Sequence, residues 1–308
     1  MYDGGFLIIS TNATFPKEML PFYICDDYEI TTPKDLEIEL FKGNLKDAGY
    51  FSRMFVPFGS KKTVVDNEGD KSTSWEHAEK HDIYLLKFRN FNRNLHEINY
   101  TGSLLSPKLR FTMQTVYSDE AETSFCMRGL LSYSDLTLMT IGSHQDRVEY
   151  SKDQLLDFKS LFLTIKSLDS ESRYNGILKL FHETDNIPRN SNLLTLSYFS
   201  TLEALLTNGR KDGESITNQL IYKTQFILNI SGNVNHQNLF HETSYDTLWK
   251  KLYKLRSNIA HGNNFDFKKE FSLLKDIDTV NIYLDMVVQK LLKFSLNHQQ
   301  MVDDLRVC

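Results

Sequence analysis

A helical sequence pattern in the C-terminal half ends with Arg256-Ser257-Asn258-Ile259-Ala260-His261-Gly262. From Tyr245 onward, apolar side chains recur every three or four residues, which predicts an amphipathic helix over Tyr245–Ala260. Gly262 lies two residues beyond Ala260, where a residue with positive φ commonly ends a helix. The segment therefore predicts a helix with one buried stripe, made of Leu248, Leu252, Leu255 and Ile259.

Helical patterns surround this segment throughout the C-terminal half. Apolar periodicity and capping residues predict five more helices, over residues 153–168, 170–183, 192–206, 214–229 and 265–294. Since consecutive amphipathic helices bury their apolar faces against one another, this half is expected to form a helical bundle.

The N-terminal half is richer in strand patterns. Alternation and β-branched residues predict strands over residues 5–10, 83–89, 109–117, 124–131 and 136–141. Short helices are predicted over 33–41 and 74–80, and a polar surface loop over 59–73. We therefore predict an α+β protein with a strand-rich mixed domain over 1–147 and an all-α helical bundle over 148–308.

Composition restricts the cellular setting and the class of partner. The 308 residues carry a net charge of −5, with the acidic excess in the N-terminal half, so a nucleic acid would have to bind locally. The sequence has no long uncharged apolar run and no secretory start, which predicts a cytoplasmic protein that binds no membrane. The three cysteines, Cys25, Cys126 and Cys308, are scattered in a way that fits neither a disulfide framework nor a zinc site.

Arg256 and His261 supply two chemical abilities near the end of the predicted helix. A guanidinium can hold a phosphate, and an imidazole can transfer a proton near neutral pH. Arg256 borders the buried stripe, where an unpaired charge is costly. Glu203, predicted within an apolar stripe with Leu196, Phe199 and Leu206, is the first candidate for its partner. From the residues alone, this pair is compatible with a purely structural role and with a functional site.

Other residues of the sequence are candidates for binding RNA or a metal ion. Lys250, Lys251 and Lys254 lie on the same helix and fit either an RNA-binding surface or an ordinary solvated face. His77 and His81 are four residues apart, but the surrounding order is not that of a known zinc motif, so a polar surface segment is favoured and no metal is expected. The aromatic residues of the helical half are expected in the core rather than stacked on bases, namely Tyr198, Phe199 and Phe226.

Two segments in the C-terminal half carry a family resemblance. They are Ser200-Thr201-Leu202-Glu203-Ala204-Leu205-Leu206 and Leu252-Tyr253-Lys254-Leu255-Arg256-Ser257-Asn258-Ile259-Ala260-His261-Gly262. In order and separation they resemble the HEPN domain, in the form found in Apea-like bacterial antiphage proteins. The second segment fits the HEPN signature Arg-x4–6-His, with Arg256 and His261 as its ends. The resemblance extends from about residue 150 to the C-terminus.

The resemblance implies a metal-independent endoribonuclease that needs no cofactor and acts as a homodimer through the HEPN domain. The RNA 2′-hydroxyl would attack its own phosphodiester, with His261 as general base or acid and Arg256 stabilising charge on the phosphate. Asn258 or Ser257 would orient the phosphate or the ring, and Glu203 belongs to the site as the expected partner of Arg256.

The same resemblance implies a cellular role. It predicts an effector of antiviral defence by abortive infection, with a phage-derived trigger acting at the N-terminal domain. The alternative is a non-catalytic HEPN domain that serves for dimerisation or RNA binding.

Overall fold

The structure, a computed structural model, describes residues 4–9, 13–47, 59–65, 70–77, 83–89, 95–118, 123–127, 148–208 and 215–308. The chain divides into two compact units, residues 1–162 and 163–308. This division lies later in the chain than the change of sequence pattern at residue 148. The first unit contains the sheet and the second is helical, so the predicted α+β class is confirmed.

The first unit is built on a six-stranded sheet whose described pairings are all antiparallel. Its strands are β1 (Gly4–Ile9), β3 (Phe22–Cys25), β4 (Tyr28–Thr31), β7 (Leu85–Arg89), β8 (Phe111–Ser118) and β9 (Thr123–Met127). Their order across the sheet is β3-β4-β7-β1-β8-β9. The short strands β2 (Ala13–Thr14) and β10 (Val148–Glu149) pair in parallel elsewhere.

Strand β1 is wholly buried because strands flank both of its edges and side chains pack on it. Its neighbours in the sheet are β7 and β8, and Phe6 and Ile8 join a cluster with Phe41, Ile83 and Leu85. Gly5 is required because a Cβ there would come within 2.5 Å of the Thr115 carbonyl oxygen. Such a fully apolar strand is typical of a sheet covered on both faces.

Three described helices accompany the sheet, α1 (Asp35–Asp47), α2 (His96–Leu104) and α3 (Lys152–Lys166). The start of α3 packs against sheet residues, with the ring of Phe158 5.9 Å from that of Phe111. Lys159 Nζ also donates to the carbonyl oxygen of Tyr23 at 3.0 Å.

Two predictions in the N-terminal half are wrong. Residues 59–65 and 71–73 are not a loop and residues 74–77 are not helical, because β5 (Gly59–Val65) and β6 (Lys71–His77) form an antiparallel pair. The polar composition concealed β-branched residues such as Thr63, Val64 and Val65, which favour strands. The predicted strand over 136–141, and the last part of the one over 124–131, lie outside the described residues.

The second unit contains the end of α3 and the remaining helices. These are α4 (Arg173–Glu183), α5 (Asn192–Leu206), α6 (Ile216–Ser231), α7 (Gln237–Phe240), α8 (Tyr245–Ala260), α9 (Ile277–Asn297) and α10 (Gln299–Val307). The predicted bounds of α5 and α8 are confirmed to the residue. Helix α5 lies at the centre, in contact with α4, α6, α8, α9 and α10.

The last long helix begins later than the predicted residue 265. Asp276 caps its start, since Oδ1 accepts a hydrogen bond from the Thr279 amide at 2.7 Å. Lys275, with φ of 63°, turns the chain just before that cap. Residues 263–276 therefore form a connecting segment with a short 3-10 turn over Ser272–Leu274.

Candidate active site

The local sequence fixes both ends of α8. Ser244 caps its start, with Oγ accepting from the Thr247 amide at 3.3 Å. At the other end Gly262 has φ of 68°, which confirms its predicted place as the residue that ends the helix. Asn263 N donates to the Asn258 carbonyl at 2.9 Å, and Gly262 N donates to the Ile259 carbonyl at 3.1 Å. This is a Schellman arrangement, and it holds His261 at the last position before the chain turns.

One face of α8 is anchored in the core. Leu248, Trp249, Leu252 and Leu255 are buried, whereas Ile259, predicted in the same stripe, is half-buried. The Trp249 ring packs edge-on against Phe199 of α5, with 6.3 Å between centroids. The helix is therefore held firmly against α5, which carries Glu203.

Arg256 and Glu203 form the predicted pair between α8 and α5. Arg256 Nη2 donates to Glu203 Oε2 at 3.1 Å and lies 3.0 Å from Oε1. Within the described part of the chain, Oε1 and Arg256 Nε are buried atoms without a hydrogen-bond partner. The contact to Oε1 is thus an electrostatic approach rather than a directed hydrogen bond. Both contacts involve Nη2 alone, so the guanidinium does not bind the carboxylate in a bidentate manner.

The surroundings of the pair are only partly dry. The side chains of Arg256 and Glu203 retain 27% and 22% of their exposure. Glu203 therefore lies at the edge of the core rather than within the fully apolar stripe that the sequence predicts. The Arg256 guanidinium also lies 5.6 Å from the centre of the Tyr253 ring. An arginine in this position is fixed by its neighbours and is still reached by solvent.

His261 lies on a different side of the helix from Arg256. An ideal helix turns about 100° per residue, so residues five apart point about 140° away from each other. His261 is exposed, whereas Arg256 is half-buried. Ser257 and Asn258, the other proposed site residues, are half-buried between them. Within one copy of the chain, Arg256 and His261 therefore lie at the same end of α8, but their side chains point in different directions.

The exposed side of α8 is a polar stripe. Lys250, Lys254, Ser257 and His261 are spaced four, three and four residues apart, which aligns them on one face. We call these four residues the polar stripe. It places two of the predicted RNA-binding lysines in line with the imidazole.

Glu270, which the sequence did not indicate as part of the site, contacts Lys251 and Lys254. Its Oε1 lies 2.5 Å from Lys254 Nζ, and its carbonyl oxygen accepts from Lys251 Nζ at 3.0 Å. The hydrogen bond from Lys254, assisted by the charge of Lys251, lowers the pKa of the Glu270 carboxyl. Glu270 lies ten residues beyond Ala260, the last residue of α8, in a segment predicted as helical, so no spacing rule pointed to it.

Other predicted positions have mixed outcomes. Tyr198 and Phe199 are buried as predicted, but Phe226 is 46% exposed on α6, so its assignment to the core is wrong. His77 lies in a strand, so the four-residue spacing of His77 and His81 does not place them on one helical face. His81 lies outside the described residues. Within the described ranges, no cluster of three or more His, Cys, Asp or Glu is arranged to hold a metal ion.

Comparisons with known proteins add no assignment. No protein-family model matches the chain, and no curated protein or solved structure matches it significantly. The resemblance to the HEPN domain therefore stays a prediction. In the portion of the chain that the structure describes, every helix is too short or too polar to cross a membrane.

Proposed function

We propose that this protein is a metal-independent endoribonuclease whose site is the C-terminal end of α8. The observation that carries the proposal is that an arginine fixed by an ion pair and an exposed histidine lie at the same helix end. Glu203 of α5 fixes Arg256 by a hydrogen bond, and the turn at Gly262 leaves the His261 side chain exposed. These two groups cover charge stabilisation and proton transfer, which are the needs of RNA cleavage through the 2′-hydroxyl.

The reaction is a transesterification within the RNA. The 2′-oxygen bonds to the adjacent phosphorus as the bond from phosphorus to the 5′-oxygen breaks. His261 accepts the proton of the 2′-hydroxyl or donates one to the leaving 5′-oxygen, and Arg256 stabilises the added negative charge on the phosphate oxygens. The products are a 2′,3′-cyclic phosphate and a 5′-hydroxyl, with no oxidant or metal consumed.

The geometry of α8 favours a site completed by a second copy of the chain. Because Arg256 and His261 point about 140° apart, a single phosphate does not readily meet both side chains of one helix. In a homodimer, the α8 ends of two copies can face each other across one cleft. Ser257 and Asn258, half-buried at the same end, would then orient the phosphate or the imidazole.

The resemblance to the Apea-like HEPN domain supports the cellular part of the proposal. On that basis we assign the protein to the bacterial cytoplasm, as an effector that halts phage growth by abortive infection. A phage-derived trigger would act at the strand-rich N-terminal unit. No residue of that unit contributes to this part of the proposal, which rests on the family alone.

One observation favours a second candidate, a non-catalytic dimerisation or RNA-binding module. Arg256 is neutralised by Glu203 in the same chain, as in an ordinary structural pair. The two functions differ at His261, which has no structural task comparable to that of Arg256. A binding module tolerates its removal, whereas a nuclease does not.

The test is RNA cleavage by the purified full-length chain and by its His261→Ala variant. We expect the wild type to cut RNA and the variant to lose at least about 100-fold in rate, the usual contribution of a general acid or base. EDTA should leave the wild-type rate unchanged. Circular dichroism and thermal melting should be the same for both proteins, because His261 is exposed.

Two results would refute the nuclease. One is equal cleavage by wild type and His261→Ala at equal purity. The other is loss of cleavage by the wild type on addition of EDTA, with recovery on adding a divalent cation. If neither protein cuts RNA and both bind it with equal affinity, the binding module is the correct function.

A further inference from the structure

The segment after Gly262 folds back along α8. Its Glu270 accepts from Lys251 through the carbonyl and contacts Lys254 through the carboxylate. The next residue, Phe271, is fully buried, and Lys251 Nζ lies 5.9 Å from the centre of its ring. Residues 265–271, which we call the return segment, are therefore fixed beside the lysines of α8.

This fold-back gathers five lysines in one place. Lys268 and Lys269 directly precede Glu270, and Lys250 directly precedes Lys251. Lys250, Lys268 and Lys269 are exposed, and in the described part of the chain no ion pair involves any of the three. Two acids offset part of this charge: Glu270, which contacts Lys254, and Asp266 of the return segment, whose Oδ1 accepts from the Lys268 amide. In a chain of net charge −5, this is a local positive field.

Aromatic rings accompany the lysines. Phe265 and Phe267 are half-buried, with centroids 5.7 Å apart in an edge-on pair. Both rest on the buried Phe271, at 6.2 Å and 6.4 Å. Phe271 thus supports two partly open rings from below. Aromatic rings beside a positively charged groove are the usual platform for unpaired bases.

We infer that the return segment and the polar stripe form one binding track for single-stranded RNA. Phe265 and Phe267 stack on bases, and Lys268, Lys269 and Lys250 contact phosphates. The polar stripe from Lys250 to His261 rises about 16 Å along the helix, enough for two or three extended nucleotides. The strand held by the lysines would thus end at the imidazole. The inference rests on the proposed function for the choice of RNA, and adds the residues that select an unpaired strand.

The combination of groups favours a single strand over other polyanions. A duplex hides its bases, so Phe265 and Phe267 would have no stacking partner there. An acidic protein or an anionic lipid surface would contact the lysines alone, because the two rings remain half-buried against Phe271 and cannot insert deeply. Only an unpaired strand uses the cations and the rings together.

The test measures RNA binding by full-length His261→Ala protein, which removes cleavage from the measurement. The probe is a fluorescent 20-nucleotide unstructured RNA, followed by anisotropy across a salt series. Adding Lys268→Glu and Lys269→Glu should weaken binding at least tenfold at low salt. The slope of log affinity against log salt should fall by about 1.4, since each phosphate contact on a single strand contributes about 0.7.

A matched control changes two lysines elsewhere by the same charge. Lys152→Glu with Lys179→Glu alters α3 and α4, which hold none of the cluster. This control should bind the RNA within about twofold of the parent protein. If it weakens binding as much as the Lys268 and Lys269 pair does, only the net charge matters and the track does not exist.

The rings are tested by Phe265→Leu with Phe267→Leu. Leucine keeps apolar contact with Phe271 but offers no flat face, so binding should weaken at least about fivefold for each base that loses its stacking partner. Thermal melting should stay within a few degrees of the parent. Unchanged affinity in a folded double variant overturns the stacking role.

Competitors identify the ligand class. Unlabelled single-stranded RNA should displace the probe, whereas duplex RNA, poly-glutamate and phosphatidylserine vesicles should compete at least tenfold less well. Equal competition by any of these overturns the inference. Failure of the proposed function is a separate result: if His261→Ala still cleaves RNA, the catalytic assignment is wrong although the track can still bind.

Discussion

The two faces of α8 differ in what holds them. On one face Leu248, Trp249, Leu252 and Leu255 are buried in the bundle. On the other, the polar stripe ends at His261, which is exposed and belongs to no recorded ion pair among the described residues. Arg256 lies at the border, paired with Glu203 and still reached by solvent. The core face holds α8 in the bundle, and the polar stripe leaves His261 open to solvent. Under the proposed function, Arg256 serves both stability and chemistry.

The largest contrast is expected between a residue of the core face and a residue of the polar stripe. Leu255→Ala should lower the free energy of unfolding by about 2–5 kcal/mol, because it removes a fully buried side chain and leaves a cavity. Ser257→Ala, two residues later and half-buried, should change it by less than about 0.5 kcal/mol. Chemical denaturation of both variants measures the difference. Equal losses would show that the exposed side of α8 is also part of the core.

Arg256→Ala should have an intermediate effect. Removing the guanidinium leaves the Glu203 carboxylate half-buried without its partner, at a cost of about 1–2 kcal/mol after allowance for solvent screening. The matched variant His261→Ala should cost less than about 0.5 kcal/mol. Denaturation curves of both proteins provide the comparison.

A double-mutant cycle then isolates the pair itself. Arg256→Ala and Glu203→Ala, alone and together, should give a favourable coupling energy of about 1 kcal/mol. If the two effects add without coupling, the contact seen between Nη2 and the carboxylate contributes nothing to stability. Arg256 would then be free to act on substrate alone.

The turn that ends α8 should be sensitive to a single methyl group. Gly262→Ala forces an alanine into φ of 68° and should destabilise the protein by about 1 kcal/mol, although no atom lies within 4 Å of the added Cβ. Gly176→Ala is the matched control, because it lies inside α4 with equally open space but ordinary φ. That change should stabilise by about 0.5–1 kcal/mol. Effects of the same sign at both positions would contradict the cap assignment.

The smallest effect concerns the pH dependence of the contact between Lys254 and Glu270. Because the pKa of Glu270 is lowered below its ordinary 4.5, the contact is complete above that value and weakens as the pH falls below it. A carboxyl NMR titration should give Glu270 a midpoint below 4.5, and Lys254→Met should return it towards 4.5. A wild-type midpoint at or above 4.5 would mean that the return segment is not held by this contact in solution.

Local signals decided how much of the fold could be predicted. The bounds of α5 and α8 were predicted to the residue, and the structure places their N-caps at Ser191 and Ser244 and the predicted turn after α8 at Gly262. The β5 and β6 pair was missed because its strands are mostly polar, although they are consecutive in the chain and Val65 pairs with Lys71. The start of α9 was misplaced because aromatic residues of the return segment imitate helical periodicity.

The candidate site was predictable only where it depends on local sequence signals. The pair of Arg256 with Glu203 followed from the cost of an unpaired charge near the core. Glu270 was missed, since it reaches α8 only because the chain turns back at Gly262. The direction of His261 relative to Arg256 follows from helix geometry, but its exposure depends on how α8 packs against α5.

The chemical ends of the cleaved RNA test the proposed mechanism most directly. Purified wild-type protein is incubated with a single-stranded RNA and with the same RNA carrying 2′-O-methyl groups throughout, and the product ends are identified by mass spectrometry. We predict that only the unmodified RNA is cut, leaving a 2′,3′-cyclic phosphate and a 5′-hydroxyl, while both RNAs bind. Cleavage of the methylated RNA, or products with a free 3′-hydroxyl and a 5′-phosphate, would contradict the account.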